Sequence, residues 1–191
     1  MQGVSTQTQV PLTPPFRFFL LAAVLAALLG PPLAVAFAAG ADAGRFIESI
    51  YAHGHEDAVA SQWSNAGKRG AWLSRDLTAL WSRSDARARK SKDELGALDF
   101  DIGTNSQLGW EAFMGFTVNI VSQGDGRAVV NVRLENAPDT AARKFDSDNV
   151  IRYDLVEEGG AWRIDDVGST VDGKPWSLRE ILKAYLKGSA T

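Results

Sequence analysis

Along the run Ala161-Trp-Arg-Ile-Asp-Asp-Val167, the residues Trp162, Ile164 and Asp166 alternate, so in a regular strand all three stand on one face. A carboxylate on the same side as two core-forming residues loses hydration. Its pKa then rises, which suits it to general acid or base work, with Tyr153 on the neighbouring run as a hydrogen-bond donor. The plainer reading, which the residue types favour, keeps Trp162 as core and sets Asp166 at a strand end, in water or bonded to a loop N–H.

Asp99 and Asp101 flank Phe100, and in an extended chain both carboxylates point to one side. Such a pair can share a proton or help to hold a divalent cation. Calcium loops supply more oxygens than this, so a turn in which each Asp accepts a backbone N–H is preferred. His53-Gly-His-Glu-Asp57 contains both histidines of the chain, and there is no cysteine to complete a zinc site. A helix end, with His53 at the C-terminal dipole and Glu56 and Asp57 at the next N-terminus, accounts for it more simply. No metal and no cofactor is expected. A Gly-x-Ser-x-Gly elbow is missing, and Gly124-Asp-Gly126 reads as a hairpin turn rather than a phosphate loop. Trp110 and Phe113 either line a pocket mouth or fill the core.

The elements that must position these residues follow from periodicity. Phe46, Ile47, Ile50 and Tyr51 predict a helix over 43–53 behind Asp42, and a short helix and a glycine-marked loop follow over 55–70. Ser74 caps a longer helix to about Lys90, striped by Leu77, Leu80 and Trp81. Residues 95–109 read as irregular. Phe116, Val118 and Ile120 alternate in one strand, and Ala128, Val130, Val132 and Leu134 in its return. After a polar connection over 135–149 come 150–156 and 161–167, a hairpin turning at Gly159-Gly160. Ser177 caps a last helix. Helices first and strands after predict an α+β domain: N-terminal helices packed on a curved, mainly four-stranded antiparallel sheet, with a C-terminal helix.

Arg17 precedes the apolar run Phe18 to Leu29, which Gly30-Pro31-Pro32 interrupts before the small residues Ala36, Ala38 and Ala39. This predicts a secretory signal over 1–39 and one domain over 40–191, periplasmic or secreted. The alternative is an uncleaved segment that anchors the protein in the inner membrane; the run is shorter than the roughly 18 residues a span needs. A formal net charge of −3 with both signs interspersed gives no footprint for nucleic acid, and the only membrane contact expected is through the N-terminal segment if it stays uncleaved.

The segments Leu73-Ser-Arg-Asp-Leu-Thr-Ala-Leu80, Ala97-Leu-Asp-Phe-Asp101, Tyr153-Asp-Leu-Val156, Trp162-Arg-Ile-Asp-Asp166 and Ser177-Leu-Arg179, in this order of helices and strands, carry a resemblance. The chain resembles the nuclear-transport-factor-2-like superfamily, a cystatin-like α+β cone, and within it a group of exported bacterial proteins of unknown function. The resemblance implies a sheet curled around a pocket, with Trp110, Phe113, Tyr153, Trp162 and Asp166 as its lining. Members of the superfamily include isomerases, dehydratases and non-catalytic modules, so fold alone does not choose among them. The expectation is a non-catalytic envelope domain that binds a small molecule or an envelope protein. Two alternatives stand beside it: a pocket enzyme in which Asp166 or Tyr153 transfers a proton, and a homodimeric contact scaffold.

Overall fold

The computed structural model describes residues 42–52, 63, 65–93, 95–107, 113–137, 143 and 145–188, and across them three tight turns set the topology. Strand β1 (Phe113–Gly124) returns as β2 (Arg127–Asn136) through Asp125 and Gly126, at φ 52° and 69°. Strand β3 (Val150–Glu158) returns as β4 (Ala161–Val171) through Gly159 and Gly160, at φ 61° and 78°. Asp172 and Gly173, at 51° and 73°, then lead into β5 (Lys174–Ser177). Positive φ at both central residues twists the return in the sense of the flanking strands, which is why Asp-Gly and Gly-Gly occupy these corners. All strand-to-strand pairings of the sheet are antiparallel, and it runs β1-β2-β3-β4-β5.

The domain is therefore α+β, with five strands where alternation predicts four. The fifth escapes the pattern because four residues including Pro175 show no period, although Asp172-Gly173 marks its turn. Within 135–149 the described residues are less uniformly exposed than their polarity predicts. β2 continues to Asn136, a 3-10 turn spans Asp146–Asn149, and Asp148 is buried.

Three helices are described: α1 (Ala43–Ala52), α2 (Arg75–Ser91) and α3 (Leu178–Lys187). The expected caps are in place, since Ser74 Oγ accepts from Leu77 N at 3.1 Å and Ser177 Oγ from Glu180 N at 3.3 Å. Phe46, Ile47 and Ile50 of α1, Leu77 and Leu80 of α2, and Leu178 and Leu182 of α3 join one core with Val130, Val132, Ile151, Leu155 and Ile164 of the sheet. Each buried aliphatic side chain contributes roughly 1.5–3 kcal/mol, so this shared core holds the helices on the sheet. At the first half of β4, Ile164 N donates to Trp72 O at 2.9 Å and its carbonyl accepts from Ser74 N at 2.8 Å. That contact fixes where α2 begins. Of the stretch over 55–70 expected to hold a short helix and a glycine-marked loop, residues 55–62 and 64 lie outside the described residues, as does the N-terminal signal segment.

Candidate functional site

A register shift in β4 decides where Asp166 goes. Asp154 pairs with Asp166, but the next residue of β3, Leu155, pairs with Ile164, so Asp165 is an extra residue in a bulge. Trp162, Ile164 and Val167 consequently face the core, Val167 is the residue paired with Tyr153, and Asp166, paired with Asp154, lies on the other face of the sheet. The shared face predicted from alternation does not exist, because one inserted residue reverses the parity of every position after it. Asp166 instead caps α3: its Oδ1 accepts from Arg179 N at 3.0 Å and Val167 N at 2.9 Å, and its Oδ2 from Ser177 Oγ at 2.6 Å.

Three of the other expected lining residues are core. Tyr153 is fully buried, Trp162 is 5% exposed and Phe113 is 7% exposed, with the Arg143 guanidinium 5.2 Å over its ring. Trp110 and the His53–Asp57 cluster lie outside the described residues. Asp99 is exposed while Asp101 is turned inward, so the two carboxylates do not act as a pair. Among the described residues no group of three or more His, Cys, Asp or Glu is placed to hold a metal ion.

What the fold does build is a cleft of about 400 Å³ between the second half of α2 and the 95–102 loop. Trp63, Trp81, Leu98, Phe100 and Ile102 give it apolar walls, and Arg69, Asp85 and Asp101 supply its charges. Arg69 is 1% exposed, an unusual place for a guanidinium, and contacts with other described residues help to hold it there. Its Nε donates to Trp63 O at 2.6 Å, its NH1 meets Asp85 at 2.9 Å, and its plane lies 4.4 Å over Trp81. No motif announces this arrangement. Trp63, Arg69 and Asp85 come together only when the 3-10 turn Arg69–Ala71 folds back on α2.

Asp101 also lines the cleft. One oxygen, Oδ1, accepts from Gly103 N at 2.8 Å, Thr104 N at 2.8 Å and Thr104 Oγ1 at 3.1 Å, the Asx-type turn that its position before Gly103 predicts. Burial pushes the Asp101 carboxyl above its ordinary value, and the three donors offset only part of that. Behind it sit two phenols. Tyr51 Oη donates to Gly103 O at 2.8 Å and lies 2.8 Å from Tyr153 Oη. Burial raises both phenols, and the nearby Asp101 charge adds to the effect on each. Both therefore stay protonated at neutral pH.

Among the described residues the cleft brings together a carboxylate raised by burial, an Arg–Asp ion pair and aromatic walls. Compared with known proteins, the chain matches no family model, no curated protein and no solved structure.

Proposed function

We propose that this is an exported, non-catalytic envelope domain that binds a small molecule of mixed polarity in the cleft between α2 and the 95–102 loop. The observation that carries the reading is the charge placement: Asp101 and the Arg69–Asp85 pair sit among tryptophan and aliphatic walls in a cavity of about 400 Å³. That volume lies at the lower end of ordinary small-ligand pockets. The pocket enzyme finds less support, because Asp166 is engaged in capping α3 and Tyr153 is sealed in the core. Kinship with the cone-shaped superfamily is supported by the helix-then-sheet order and by register shifts at Phe113/Gly115, Ile120/Ser122 and Asp154/Leu155, since bulges bend a sheet. Native mass spectrometry of the protein recovered from its own envelope tests the binding function. A stoichiometric small molecule, lost on Trp81→Ala, is the expected result, and a ligand-free protein from every growth condition refutes it.

A second reading, the dimeric contact module, is favoured by β1. This edge strand is twelve residues long, carries no charged side chain, and exposes Met114 and Val121, whereas the other edge strand is four residues long and holds Lys174 and Pro175. Edges without charge or proline invite strand pairing, and a second copy of β1 is its own complement across a two-fold axis. Sedimentation across a concentration series, with Met114→Lys/Val121→Lys as the disrupted control, decides it; a concentration-independent monomer rules it out.

A further inference from the structure

We infer that Asp125, at the corner between β1 and β2, is a site of spontaneous backbone rearrangement to isoaspartate, whereas Asp172, at the corner between β4 and β5, is protected from the same reaction by the buried carboxylate of Asp148.

The chain contains two Asp-Gly dipeptides, Asp125-Gly126 and Asp172-Gly173. In each, the glycine nitrogen can attack the Asp side-chain carbon Cγ, because the following residue has no side chain to hinder the approach. The carboxyl hydroxyl and the amide proton leave as water, and a five-membered succinimide closes. Water then adds to one of the two ring carbonyls. Cleavage of the bond from nitrogen to Cγ restores aspartate, while cleavage of the bond from nitrogen to the original main-chain carbonyl routes the backbone through Cγ as isoaspartate. Water is the only co-reactant.

The two corners match in what the dipeptide itself dictates. Asp125 and Gly126 have φ 52° and 69°, and Asp172 and Gly173 have φ 51° and 73°. Both aspartates are exposed. Each corner joins an edge strand to its single neighbour in the sheet. A difference in reactivity must therefore come from what surrounds the attacking nitrogen.

Those surroundings differ. At the second corner Asp148 is 5% exposed, and its Oδ1 accepts from Gly173 N at 3.2 Å while its Oδ2 accepts from Asp172 N at 3.0 Å. The Phe145 ring adds packing, since a Cβ placed on Gly173 would lie 3.5 Å from it. At the first corner Gly126 N donates to none of the described residues; it is Gly126 O that accepts, from Glu157 N at 2.8 Å. A Cβ placed on the neighbouring Gly124 would meet nothing within 4 Å. Ring closure swings the glycine nitrogen out of its place in the turn, so its rate follows the fraction of time the corner is open. Two hydrogen bonds to a carboxylate lower that fraction by about tenfold or more.

The rearrangement is not silent for the sheet. Isoaspartate puts an extra carbon into the main chain of a two-residue corner, and loop length fixes hairpin register, so the terminal Gly124–Arg127 pair is the first to be lost.

The test incubates the purified protein in mildly acidic buffer until a free peptide spanning Gln123 to Ala128 has largely converted. Isoaspartyl methyltransferase measures the total isoaspartate, and electron-transfer fragmentation of proteolytic peptides assigns it to a residue. Isoaspartate at Asp125 is expected to exceed that at Asp172 by about tenfold or more. Asp125→Glu, whose ring would need six members, should remove most of the methyl acceptance. Asp148→Ala, checked for folding by circular dichroism, should raise Asp172 toward the level of Asp125 and leave Asp125 unchanged. The wild-type comparison decides the matter even where that variant fails to fold. Isoaspartate at Asp172 equal to or above that at Asp125 overturns the inference, and so does a folded protein that converts at neither site while the free peptide does.

Discussion

The hydroxyls of Tyr51 on α1 and Tyr153 on β3 meet at 2.8 Å across 102 residues of sequence, in a part of the core where neither ring is more than 2% exposed. Their rings are set edge to face, with centroids 6.2 Å apart. The pair ties the first helix to the centre of the sheet and, through Gly103 O, to the loop that carries Asp101. Tyr51 is the hub, because it both donates and accepts. Tyr51→Phe strands the Gly103 carbonyl and the Tyr153 hydroxyl together and should cost about 2–3 kcal/mol, whereas Tyr153→Phe removes one donor and should cost about 1 kcal/mol. Urea denaturation of the two variants and the double variant checks this. Additive losses, with no coupling of about 1 kcal/mol, would mean that the hydroxyl contact is not formed.

The same burial makes stability depend on alkaline pH. Tyr51 and Tyr153 are both raised, chiefly by desolvation, while in the unfolded chain a phenol ionises near about 10. Above that value the unfolded state has released protons that the native state still holds, so unfolding becomes more favourable with each further rise in pH. The stability is intact below about pH 10 and is lost beyond it. Tyr185, the third tyrosine, is raised for a different reason, since its exposed phenol donates to Asp93 at 2.7 Å. Ultraviolet difference titration should therefore show one phenol ionising in the folded protein and two only as the circular dichroism collapses. Three phenols titrating together with the fold intact would refute it.

How much of this was legible beforehand depends on the distance over which each feature is encoded. The β3–β4 hairpin and the caps at Ser74 and Ser177 are local, set by alternation, a Gly-Gly corner and one side-chain oxygen, and they read directly from the chain. Asp166 was not legible because its face depends on a single bulged residue, Asp165, whose placement answers to what packs on either side: Ser74 Oγ donates to its Oδ1 at 2.7 Å and Arg179 pairs with it. The turn at Asp101 is local and reads from the chain, but Asp99, which alternation sets on the same side, faces water. The true neighbours, Trp63, Arg69 and Asp85, are joined by tertiary contacts that leave no spacing to detect. Five strands emerge in place of four for a related reason: β5 exists only through its pairing with Gly168–Val171.

Asp101→Asn should separate binding from stability. The wild-type carboxyl is raised by burial, so the native state keeps its proton to higher pH than the unfolded chain does. Stability then falls as pH climbs from the ordinary carboxylate value through the raised native one, and stays at the lower level above it. Asparagine retains an acceptor for Gly103 and Thr104 and carries no charge. The variant should lack that fall and be at least as stable as wild type at pH 7, a pattern found where a group is retained for function at a cost in stability. Thermal melts of both proteins from pH 4 to pH 7 give the comparison. A wild type that gains stability over this range relative to the variant would contradict it.

Asp166→Ala asks whether this carboxylate is structural. Its oxygens accept from Arg179 N and Ser177 Oγ at the start of α3, so removal leaves an orphan N–H in the first turn and frees the cap residue itself. The expected loss is about 1–2 kcal/mol, a few degrees in melting temperature for a domain of this size. It should be concentrated in α3, whose amides Leu178 to Leu182 would exchange with solvent faster while those of β2 and β3 keep their protection. Asp166→Asn, which preserves an acceptor for Arg179 N and can turn its amide toward Ser177 Oγ, should recover most of the loss. If alanine leaves stability and α3 exchange unchanged, the capping role is wrong, and the carboxylate is held at the start of α3 for another purpose.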